Sequence, residues 1–128
     1  MPVTIFLGLA SSAAAQPPRV PVPLIADEGY GPCSPATVMG LAGADTFLAV
    51  RSGPSRRHRE LARLGDGAEV FACVRRGDWF GIVFAPEASR LDCGVLRPRR
   101  ANAVYIGPCR SGWVHERYLG GYADWISP

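Results

Sequence analysis

Two segments of this chain each couple a short apolar strand to an enforced turn: FLAVRSGPS at 47–55 and GWVHERYL at 112–119. In the first, an apolar-x-apolar run meets Arg51, Ser52, Gly53 and Pro54. Gly53 is free to take φ > 0, and Pro54 fixes its own φ and stops the strand. The second puts Trp113 and Val114 on a short strand, then crowds His115, Glu116, Arg117, Tyr118 and Leu119 into a single tight turn. The pair predicts the opening and closing edges of one small β-barrel.

The rest of the chain agrees with that constraint. Its 128 residues are a one-domain length, and 15 Gly with 12 Pro favour an all-β chain rich in turns. The clearest β signal is AEVFACV, a turn at Arg75, Arg76, Gly77 and Asp78, then WFGIVF. Val70, Ala72 and Val74 are expected on one face, with Phe71 and Cys73 on the other. On the return strand Trp79, Gly81 and Val83 oppose Phe80, Ile82 and Phe84, and Phe71, Ile82 and Phe84 are assigned to the core. ATVMGL at 36–41 predicts a further strand. The stretch 55–64 is expected as a long irregular loop, with Leu61 and Leu64 turned into the core.

Residues 1–15 are expected to be a signal peptide: an apolar run, then Ala13 and Ala15 in a small-x-small pattern before Gln16. The apolar run is too short to span a bilayer. Residues 16–32, QPPRVPVPLIADEGYGP, read as an extended Pro-rich linker, leaving 33–128 as the domain. Cys33, Cys73, Cys93 and Cys109 show no zinc or redox spacing, which favours two structural disulfides in an oxidising compartment, periplasmic or secreted. Four cysteines allow three pairings. The favoured one closes Cys93 with Cys109 around a Pro- and Arg-rich excursion and leaves Cys33 to Cys73.

With V-R-S-G-P at 50–54 and G-W-V-x-x-x-Y-L at 112–119, the chain resembles the bacterial SH3 (Src homology 3-like) domain family. The resemblance implies an SH3-like barrel of five or six short strands and a non-catalytic binding module of the cell envelope. Its partner would be peptidoglycan or another peptide or protein ligand. It departs from the family at 85–110, an insertion where a tight connection is usual, and a disulfide would pin that insertion. In the family the hairpin Trp and the closing-turn Tyr border the ligand groove, which points to Trp79 and Tyr118. Trp113, Phe80, Tyr105, Glu116 and Arg57 complete the expected ligand-binding set, with the groove lying against the arginine loop.

Aromatic faces with a polar edge bind extended peptides and sugars at little entropic cost. Arg51 is expected to bond loop carbonyls, and Arg76-Gly77-Asp78 is read as turn chemistry. Two alternatives remain open in the sequence. One is a secreted structural or protein-interaction factor whose groove is covered by its own insertion. The other is a small hydrolase using His115 with Ser111 and Glu116, although residues adjacent in one turn seldom converge on a reacting atom. No cofactor or metal is expected. A net charge of +3 decides no partner, and acids interspersed with the arginines disfavour nucleic acid.

Overall fold

In the computed structural model, which describes residues 20–27, 29–43, 46–86 and 91–126, nine strands follow one another along the chain. They are β1 (Pro23–Leu24), β2 (Ser34–Val38), β3 (Leu48–Arg51), β4 (Glu60–Leu64), β5 (Glu69–Arg76), β6 (Trp79–Phe84), β7 (Ala103–Val104), β8 (Arg110–His115) and β9 (Leu119–Gly120). A 3₁₀ turn, Glu116–Tyr118, joins β8 to β9. The protein is all-β, and no helix among the described residues is long and apolar enough to cross a membrane. The expected signal peptide, 1–15, lies outside the described residues.

Seven strands form one antiparallel sheet in the order β4-β3-β8-β6-β5-β2-β9, and β1 and β7 form a two-stranded ribbon. The expectation of five or six strands is therefore corrected upward. One cause is β4. The stretch expected as loop is a strand paired with β3, with Glu60 and Arg63 exposed and Leu61 and Leu64 half-buried. Its mixed pattern is that of an edge strand, which needs only one covered face. The outer strands β4 and β9 are not paired with each other, so the sheet does not close by hydrogen bonds among the described residues.

The β5–β6 hairpin turns on Gly77 and Asp78 alone, with Arg76 directly opposite Trp79. Gly77 has φ 59°, which a two-residue hairpin loop demands. Facing on β6 follows strict alternation: Phe80, Ile82 and Phe84 enter one core cluster, Val83 the other. On β5 alternation fails at one point. The register shifts between Ala72 and Val74, so Val70 and Ala72 face the cluster of Ile82 while Cys73 and Val74 both belong to the other. A bulge adds a residue to one strand and turns everything beyond it to the opposite face.

The second cluster takes in Val20, Val22 and Leu24 from the stretch read as a linker. Val20, Val22 and Leu24 are buried beside Cys33, Cys73, Val74, Val83 and Trp113. Of the prolines between them, Pro21 is exposed ahead of β1 and Pro23 is half-buried in that two-residue edge strand, where a missing N–H is tolerated. This leader pairs with the insertion. β1 lies against β7, the Tyr105 N–H donates to the Val22 carbonyl at 3.0 Å, and the Ala26 N–H donates to Asn102 Oδ1 at 2.7 Å. Disulfides Cys33–Cys73 and Cys93–Cys109 tie the same region together. Within the second, the Tyr105 hydroxyl donates to the Cys93 carbonyl at 3.1 Å and accepts from the Cys109 N–H at 3.0 Å.

Candidate functional site

The two sequence motifs meet in the middle of the sheet, where Arg51 of β3 stands opposite Trp113 of β8. Beside this junction a groove of about 340 Å³ opens. The start of β3 supplies one wall, through Phe47, Leu48 and Ala49. Arg51 and Arg56 supply the polar rim, and Trp79, His115 and Tyr118 the other wall. Trp79 and His115 are cross-strand partners whose rings meet edge to face at 5.4 Å.

The arginine loop between β3 and β4 is locked by backbone and side-chain hydrogen bonds of its own residues and of Arg51. The Ser52 N–H donates to the Arg59 carbonyl at 2.9 Å, Arg51 Nη1 donates to the His58 carbonyl at 3.2 Å, and Ser55 Oγ lies 2.9 Å from His58 Nδ1. Gly53 does not take φ > 0. What it supplies instead is room, since a Cβ there would sit 2.5 Å from the His58 ring. The loop thus holds Arg56 at the groove on a braced turn.

Of the residues the sequence nominated, Trp79 and Tyr118 line this groove and are half-buried. Trp113 does not. It is 4% exposed and packed in the core, because its partner across the ladder is Gly81, whose missing side chain leaves space for the indole. Phe80 is 1% exposed, on the inward phase of β6 and packed against Tyr122. Tyr105 is 6% exposed and bound at both ends of the disulfide loop. Glu116 is ion-paired with Arg75, and Arg57 is exposed without lining the groove, its neighbour Arg56 taking that place.

Phe47, Leu48, Ala49, Arg51, Arg56 and His115 line the groove without having been assigned to a ligand by sequence reasoning. His115 follows from register alone: Trp79 and His115 are brought together only by the β6–β8 ladder. The imidazole's tautomer is set by the turn, for Nδ1 accepts the Arg117 N–H at 3.1 Å, leaving Nε2 to carry the proton in the neutral ring. The Arg117 guanidinium carbon lies 5.7 Å from the centre of the Tyr118 ring.

Ser111, His115 and Glu116 do not converge. Ser111 Oγ donates to the Val20 carbonyl at 3.2 Å, His115 Nδ1 is taken by the Arg117 amide, and the Glu116 carboxylate by Arg75. A second depression, of about 330 Å³, runs along β2 and β5 between Thr37, Glu69 and Phe71 and holds none of the nominated residues. The Tyr105 phenol is raised above its usual value chiefly by burial, with the Cys109 N–H opposing this and Asp92 adding to it. Compared with protein-family models, with curated proteins and with solved structures, the chain matches none.

Proposed function

We propose that this chain is an SH3-like binding module of the bacterial cell envelope, exported to the periplasm or beyond, that recognises peptidoglycan or its peptides without cutting them. The observation that carries the reading is the pairing of Trp79 and Tyr118 in one open groove to which no described residue of 85–110 contributes. The arrangement of the motifs supports the SH3-like part of it. The strand bearing V-R-S-G-P lies beside the strand bearing G-W-V, and the chain then turns through 116–118 so that β9 pairs with β2. Two disulfides accord with an oxidising compartment.

The reading in which the insertion covers the groove draws no support from the packing, since Cys93, Val95 and Tyr105 are buried with Val20, Val22 and Leu24 instead. The test is co-sedimentation with purified peptidoglycan. Wild-type protein is expected in the pellet and Trp79→Ala in the supernatant. Wild-type protein that stays in solution at all wall concentrations would overturn the proposal.

A further inference from the structure

The groove offers a ligand hydrogen-bond donors and positive charge and, among the described residues, no negative charge. Its charged lining is Arg51 and Arg56, and no Asp or Glu of the described residues contributes to it. The nearby carboxylates are spent or turned away: Glu116 is paired with Arg75, Glu60 with Arg63, and Asp78 is exposed at the hairpin tip outside the lining. Arg51 gives one guanidinium N–H to the His58 carbonyl and keeps others, because the group carries five. Arg56 is exposed and has no ion pair among the described residues. His115 completes the set, its remaining ring nitrogen being the protonated Nε2.

Resting on the binding-module reading above, we infer that the groove is specific for a carboxylate borne on an extended peptide, with the carboxylate held by Arg56, Arg51 and the His115 Nε2–H while the chain lies across Trp79 and Tyr118. The guanidinium is the side chain whose fork matches a carboxylate with two parallel hydrogen bonds, and such charge-assisted bonds are about twice as strong as neutral ones. A cationic ligand would meet two arginines and find no acceptor charge among the described residues of the lining. The loop bracing matters equally, since a guanidinium presented on a fixed turn loses less freedom on binding than one on a slack loop.

The experiment compares native peptidoglycan with the same material after its carboxylates have been converted to amides by carbodiimide and ammonia. Full-length wild type, Arg56→Ala and Trp79→Ala are used, with soluble poly-glutamate and poly-glutamine peptides as arms free of cell wall. The expected result is retention on native wall, a loss of about tenfold on amidated wall, a similar loss for Arg56→Ala, and weakening by added salt. Arg56 is exposed, so its variant folds as wild type, and a thermal melt checks this. Equal retention on native and amidated wall, abolished by Trp79→Ala, would overturn the carboxylate requirement and leave the binding module standing. Binding of poly-glutamate alone would keep the carboxylate requirement and remove the wall as its source. No binding in any arm would overturn both.

Discussion

Trp79 of β6 and His115 of β8 face each other across the ladder, their rings 5.4 Å apart between centroids and inclined at 78°. The contact fixes the indole at the groove wall, leaving it half-buried rather than sealed in the core. Its neighbour in the motif, Trp113, is sealed. The two tryptophans therefore answer truncation differently. Trp79→Ala is expected to abolish retention on peptidoglycan while the protein stays folded. Trp113→Ala is expected to cost about 3–5 kcal/mol, the range for removing a buried aromatic. Denaturant melts of both variants beside the sedimentation assay check the contrast, and equal destabilisation would contradict it.

The insertion and the groove should be separable. Replacing Cys93 and Cys109 together by Ser opens a loop with a sequence separation of 16 and is expected to cost about 3 kcal/mol in the chain-entropy model. The loss falls on the leader as well, because β1 has β7 as its partner. The same double variant is expected to bind as wild type wherever it remains folded, since no described residue of 85–110 lines the groove. Removing the Cys33–Cys73 link, with a separation of 40, is expected to cost about 4 kcal/mol. Melts under matched conditions would show both.

How far the sequence reached can be traced residue by residue. Alternation placed Phe80, Ile82 and Phe84 together because β6 is regular, and it failed on β5 because a bulge at Cys73 carries no compositional mark. The Pro-rich leader hid a period-two pattern, Val20, Val22, Leu24, whose prolines argued for a spacer while its apolar residues argued for an edge strand. At the site, Trp79 and Tyr118 were legible from their motifs. Trp113 was not, since its burial depends on Gly81 lying opposite it, and His115 and Arg56 needed register and loop geometry that only the assembled sheet supplies.

Glu116 was expected at a ligand and is found on Arg75, and that distinction can be measured. Both side chains are partly exposed, so the pair is worth at most about 1 kcal/mol. Glu116→Gln is accordingly expected to lower stability slightly and to leave wall retention unchanged. A marked loss of retention at unchanged stability would return Glu116 to the ligand set.

Tyr105 gives the fold an alkaline limit. Its hydroxyl joins the two ends of the Cys93–Cys109 loop, donating to one cysteine's carbonyl and accepting from the other's amide. Burial raises its titration above the ordinary phenol value of 10.0. Above that value the unfolded chain releases the phenolic proton while the folded chain still holds it, so unfolding is favoured as pH rises. The contribution is fully present below pH 10 and is lost as pH climbs through the folded-state value. Tyr105→Phe removes both hydrogen bonds and the titration together. It is expected to be less stable than wild type at neutral pH, by about 1–3 kcal/mol for a buried amide and carbonyl left without their partner, and to show a shallower fall of stability on the alkaline side. Urea melts from pH 7 to 11 on both proteins would check this, and parallel pH profiles would contradict it.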